Sequence, residues 1–191
     1  FEGDPDRGAI RRRRVYRRLF LSPAVFSEGA EDQDFLYLKN FRSMIQKDVT
    51  DFLESSLHLH KTCAVLVLEA EKNFRETLPD QKVISGIAIQ VCTILRELVS
   101  AEKAPVREDD TILLSREQLE RIIDHCRQCY AEGWSKEFRE LSSEKLYQEV
   151  ISYMSGFLLL ERFNDREFKV LPLAGKVSGG YPREFGGKDD G

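Results

Sequence analysis

The sequence predicts a mainly helical α+β fold, on three observations. Apolar residues recur at spacings of three and four over several long stretches, the period of helices with one buried face. The short apolar run Thr111-Ile112-Leu113-Leu114 stops at Ser115, and Ser115-Arg116-Glu117-Gln118 is a capping box that opens a helix. A further helix begins near Ser142-Ser143-Glu144, with Leu146, Val150, Met154 and Phe157 on one face. It runs into Phe157 to Phe163, the turn Asn164-Asp165-Arg166-Glu167, and Phe168-Lys169-Val170-Leu171. That pattern is a β-hairpin, placed where the wing of a winged helix-turn-helix belongs. The expected architecture is therefore tandem winged-helix domains with small β-hairpin wings.

The remaining elements follow in chain order. Residues 1–8 are polar and expected to be loose. Residues 9–21 read as a short helix with a dense basic face, closed by Ser22-Pro23. Ala24-Val25-Phe26 suits a short strand. One long amphipathic helix is expected from Ala30 to Leu53, with Phe35, Leu38, Phe41, Ile45, Val49 and Phe52 inward. Its acidic start, Glu28 to Asp34, suits a helix N-terminus electrostatically. Leu57-His58-Leu59-His60 and Ala64 to Leu68 read as two strands of a hairpin. Helices followed by a hairpin make the first half a degenerate copy of the second. Residues 69–82 are charged and contain Pro79-Asp80, a linker pattern. Ile84 to Val99 is a helix with Ile87, Val91, Ile94, Leu95 and Leu98 inward, and Ala101 to Asp110 a polar loop. The expected domains are an incomplete, winged-helix-like region over 9–70, a linker over 71–82, the winged helix-turn-helix over 83–176 and a tail over 177–191. Gly186 to Gly191 should be disordered.

Bulk properties limit function. A length of 191 residues suits one or two small domains. Opening on Phe1 rather than Met, the chain is expected to be part of a longer protein. No apolar run approaches the roughly 20 residues of a membrane helix. The net charge of −4 hides a split. Residues 1–18 carry seven Arg against three acids, whereas residues 19–161 carry 16 basic and 25 acidic residues. An acidic body repels DNA phosphate, so any nucleic-acid contact should be local and salt-sensitive. Cys63, Cys92, Cys126 and Cys129 are expected to be buried, reduced thiols of a cytoplasmic protein.

Chemistry-bearing motifs are few. Cys126 and Cys129 form a C-x-x-C beside His125, but a zinc site needs a second ligand pair, and His58, His60 and Cys63 lie far off in sequence. Gly175-Lys176 with Ser178 fails the order of a phosphate loop, so a turn leading away from the wing is expected. No nucleophile–base–orienter set is present among the three histidines, so neither catalysis nor a cofactor is expected. Basic residues are the candidates for DNA contact. They are the run Arg11, Arg12, Arg13, Arg14, Arg17 and Arg18, then Lys145 at the start of the recognition helix, Arg162, Arg166 at the wing tip, Lys169 and Lys176. Glu144, Glu149, Asp165 and Glu167 are interleaved with the second group.

Arg17-Arg18-Leu19-Phe20-Leu21-Ser22-Pro23-Ala24-Val25-Phe26, the acidic Phe35-Leu36-Tyr37-Leu38 helix and the helix-turn-helix carry a resemblance. So does the ending Val170-Leu171-Pro172-Leu173-Ala174-Gly175-Lys176-Val177-Ser178-Gly179-Gly180-Tyr181-Pro182. Over Ile10 to Phe185 the chain resembles the C-terminal half of the kite-type subunit of type III Wadjet plasmid-defence systems. The resemblance implies a non-catalytic, homodimeric scaffold with tandem winged helices. It would bind a kleisin subunit, and through it an SMC-type ATPase that extrudes DNA loops. It would touch DNA backbone without sequence preference, in the bacterial cytoplasm at the nucleoid or plasmid. A separate nuclease subunit would cut the plasmid. The N-terminal half implied by the resemblance would hold further winged-helix elements. The alternative is a dimeric winged-helix transcription regulator, for which the exposed residues Lys145, Gln148, Glu149 and Ser152 make a thin reader.

Overall fold

The computed structural model describes residues 5–69 and 77–178. The chain divides into two compact units, Phe1–Arg75 and Glu76–Gly191.

The first unit opens with α1, Pro5–Leu21, which begins earlier than the basic run alone suggests. Val15 and Leu19 form its buried stripe, and Pro23 prevents its continuation. Then come β1 (Val25–Phe26), α2 (Gln33–Asn40), α3 (Arg42–Leu53), β2 (Ser55–Leu59) and β3 (Cys63–Leu68). The single long helix expected over 30–53 is thus two. Asp32 caps α2, accepting from the N–H groups of Asp34 and Phe35 at 2.9 and 3.1 Å. At Phe41 the backbone leaves helical geometry, with φ −111° and ψ 23°. An unbroken 24-residue helix would span roughly 36 Å, too long to keep both ends on so small a core. The break lets Phe35 and Leu38 on α2, and Ile45 and Val49 on α3, meet Val15, Leu19, Val25, Leu57 and Ala64 in one cluster. It also turns Phe41 and Phe52 out to solvent, against the expectation that they pack inward; Phe52 is 81% exposed. β1, β3 and β2 form an antiparallel sheet in that order.

The second unit repeats the order of elements. It comprises α4 (Val83–Ser100), β4 (Ile112–Ser115), α5 (Arg116–Tyr130), a 3₁₀ turn (Ala131–Gly133), α6 (Lys136–Glu140), α7 (Ser143–Gly156), β5 (Leu160–Arg162), β6 (Glu167–Val170) and α8 (Pro172–Val177). Strand order is β4-β6-β5, again antiparallel. Each unit therefore runs helix, strand, helices and hairpin, with the lone strand paired to the last one; the second unit adds the 3₁₀ turn and α6 between its two longer helices and α8 after the hairpin. That is the arrangement of a winged helix, and the whole is mixed α+β and mainly helical.

The capping box at Ser115 is formed as the sequence implies: Gln118 N–H donates to Ser115 Oγ, and Ser115 N–H to Gln118 Oε1 at 2.8 Å. Leu119, Ile123, Cys126, Leu146, Val150 and Met154 pack between α4, α5 and α7. Phe157 caps the end of α7 and stacks on Tyr153 instead of continuing the buried stripe. By length and composition α4 could cross a membrane, contrary to the expectation from the sequence. Here it is a core helix, with Ile87, Ala88, Val91, Cys92 and Leu95 almost wholly buried and α5, α7 and α8 against it.

Two segments remain, one that the sequence left unassigned and one expected to be a turn. Residues 131–141 hold the 3₁₀ turn and α6, pinned by Trp134, whose Nε1–H donates to Gln90 Oε1 at 3.0 Å. Gly175 and Lys176 lie inside α8, which Pro172 starts at its first turn, and Arg96 donates to Ser178 O at 2.8 Å. Residues 70–76 of the linker, Gly179 to Pro182 and Gly186 to Gly191 lie outside the described residues.

Candidate nucleic-acid interface

The arginine run on α1 separates into two sets. Arg11, Arg14 and Arg18 stand at helical spacing on one side and converge on Asp34 of α2, which is 7% exposed. Arg14 grips it bidentately, Nε to Oδ2 at 2.6 Å and Nη2 to Oδ1 at 2.5 Å. Arg18 lies 3.5 Å and Arg11 4.0 Å away. The hydrogen bonds from Arg14 outweigh burial and, with the other two cations, hold the Asp34 carboxyl below its ordinary range. Arg12 sits 3.2 Å from Asp48 of α3, which also accepts from the Tyr16 hydroxyl.

Four of the six arginines therefore tie α1 to α2 and α3. Only Arg13 and Arg17 are exposed with no ion pair among the described residues. Four residues apart, they share one face, flanked by Ile10, Phe20 and the 72% exposed Leu21.

In the second unit, Lys145 is exposed at the first turn of α7, and Arg162 and Arg166 are exposed on the wing. The wing turn is an Asx turn: Asn164 Oδ1 accepts from the N–H groups of Arg166 and Glu167 at 2.8 and 2.9 Å. Lys169 is 3.1 Å from Asp109, and Lys176 is half-buried in α8. On the exposed side of α7 two polar side chains are engaged within the protein. Gln148 Nε2–H donates to Glu144 Oε1 at 2.7 Å, and Arg116 holds the other Glu144 oxygen at 2.6 Å.

The thiols divide as well. Cys63, Cys92 and Cys126 are buried, whereas Cys129 is exposed, contrary to expectation, with its Sγ 3.6 Å from the His125 ring. Burial pushes Cys92 up to about 12, and burial with the neighbouring Cys129 does the same to Cys126. Among the described residues no group of three His, Cys, Asp or Glu is placed to hold a metal ion.

The sequence reading missed the Asp34 cluster, the Arg116 clamp and Trp134. The first had a signal, since Arg11, Arg14 and Arg18 follow a three-then-four spacing and so one helix face. The second had none, because Arg116 and Glu144 are far apart in the chain.

Two successive winged-helix arrangements, each with its own core and three-stranded sheet, define a tandem winged-helix protein. The chain belongs to a family described as a protein of unknown function, DUF2398, whose sequence profile matches residues 1–180. No curated protein matches it.

Proposed function

We propose that this chain is a non-catalytic, kite-type scaffold subunit of an SMC-like, condensin-type Wadjet complex. It forms a homodimer, binds the kleisin, and through it serves an SMC-type ATPase that extrudes DNA loops in defence against plasmids. Its contact with DNA is to the backbone, through Arg13, Arg17, Lys145, Arg162 and Arg166. The observation that carries this reading is the repeated winged-helix order combined with an α7 whose Gln148 and Glu144 are engaged internally. Such a surface supports protein binding and non-specific phosphate contact over base readout.

The test is affinity purification of the tagged full-length protein from its native host, paired with a plasmid-transformation assay. A coiled-coil ATPase and a kleisin-like protein should be recovered in fixed ratio, and deletion should restore plasmid uptake. Recovery of a lone dimer with a site-specific footprint at moderate salt would replace this reading with the transcription regulator.

A further inference from the structure

Helix α1 has two distinct sides. Val15 and Leu19 face the core of the first unit. On the far side Ile10, Arg13, Arg17 and Phe20 follow one another at spacings of three, four and three, with Leu21 beside Phe20. At about 3.6 residues per turn these five fall within roughly 100° of arc. All five are exposed, Ile10 at 56% and Phe20 at 45%. Neither Arg13 nor Arg17 has an ion pair among the described residues. The order along the stripe is apolar, cationic, cationic, apolar, over roughly 16 Å at about 1.5 Å per residue.

The stripe is held in place before anything binds. Arg11, Arg14 and Arg18 tie the same helix to Asp34, and Arg12 ties it to Asp48. The Phe20 ring rests edge-on against Tyr16, with centroids 5.8 Å apart, and the Tyr16 hydroxyl donates to Asp48. A partner therefore meets a preorganised surface, and little binding free energy is lost in ordering it.

We propose that this side of α1 pairs with an amphipathic helix of a partner protein, one that carries two carboxylates four residues apart between apolar residues at heptad spacing. Spacings of three, four and three are those of the contact seam between two helices. Charge complementarity makes the two middle positions of the partner acidic, and its outer positions are apolar to cover Ile10, Phe20 and Leu21. A second copy of this chain is a poor occupant. Laid against itself in register, parallel or antiparallel, the stripe sets arginine against arginine in both central layers. A lipid surface is a poor one too, because an interfacial helix carries its cations on its polar face and not in the middle of its apolar one. DNA phosphate meets the two arginines but leaves the three apolar side chains uncovered. The pairing does not rest on the DNA contact proposed above. The acidic helix competes with phosphate for Arg13 and Arg17, so a bound partner takes α1 out of the DNA interface.

The test uses the full chain and two labelled, capped peptides of about 20 residues, long enough to form helix. Both have one composition. In the matched peptide Leu, Glu, Glu and Leu stand at spacings of three, four and three; in the scrambled one they are spread around the helix. The matched peptide should bind about tenfold or more tightly than the scrambled one. R13E/R17E should abolish that preference, and a matched peptide with Arg in place of both Glu should bind this variant and not the wild type. I10S/L21S should weaken the matched peptide by about tenfold while leaving affinity for a random DNA duplex within about twofold. A control variant at exposed cations of α3, R42E/K47E, should leave peptide affinity within about twofold. Equal affinity for the two peptides would overturn the proposal, because net charge alone would then explain binding. So would failure of the charge swap, or binding to vesicles of equal parts phosphatidylserine and phosphatidylcholine with no binding of either peptide. The two readings fail separately: a duplex affinity unaffected by R13E/R17E removes DNA from α1, whereas equal affinity for the two peptides removes the partner helix.

Discussion

At the residue scale, Asp34 decides what the arginine run is for. Three guanidiniums on one side of α1 would repel one another without it, and its carboxylate draws them onto α2. Its depressed pKa has a definite sign in stability. The contribution is complete above the unfolded value of about 3.9 and is lost as pH falls through the lower folded value. Asp34→Asn should therefore lower the stability of the first unit by about 1–2 kcal/mol at pH 7, with solvent screening of the arginines keeping the figure modest. The gap between wild type and variant should close as pH drops below 4. Chemical denaturation followed by circular dichroism across pH 2–7 measures both; a gap independent of pH would contradict the assignment. The arginines themselves were plain in the sequence. Their partner was not, because an aspartate in the acidic stretch Glu28 to Asp34 reads equally well as a favourable charge on the helix dipole.

At the element scale, signals that are purely local were legible. Ser115 and Gln118 sit three residues apart and satisfy each other's backbone groups whatever the tertiary structure does. Ser115→Ala should cost about 1 kcal/mol, whereas Leu146→Ala, which empties a fully buried position on α7, should cost about 2–5 kcal/mol. Urea melts of the two variants give the ranking directly, and a cap variant as damaging as the core variant would be unexpected. Elements fixed by tertiary packing were harder to read. The apolar period runs from Phe35 to Phe52 without interruption, so nothing local marks the break at Phe41; the size of the core imposes it. α8 was hidden by its own composition, since Pro172 and Gly175 both read as breakers, yet a proline in the first turn is harmless and the short helix is held by α4.

At the scale of the whole molecule, the net charge of −4 describes neither unit's surface. Four of the six arginines of the basic run are neutralised within the first unit, which leaves Arg13 and Arg17 of that run to meet phosphate. DNA affinity should accordingly rest on a handful of phosphates. Replacing Arg13 and Arg17 together by alanine should lower the slope of log affinity against log salt by about 2, equally for unrelated sequences. The pair Arg11 and Arg14 should change stability more than slope. Fluorescence anisotropy with two random duplexes between low and moderate salt separates these outcomes; an unchanged slope for Arg13 and Arg17 would remove α1 from the interface. The tandem order was visible in the sequence only as a similarity of pattern. The two sheets share strand order while sharing almost no residues, and strand order is a property of pairing that no local pattern records.

The burial of α4 also has a consequence for synthesis. The helices that cover it all follow it in the chain, and the last, α8, ends at Val177, 77 residues after Ser100. At about 5–20 residues added per second, this apolar helix waits roughly 4–15 s after it is made before its final neighbour exists. During that interval the apolar face of α4 is complete while part of what buries it has yet to be made.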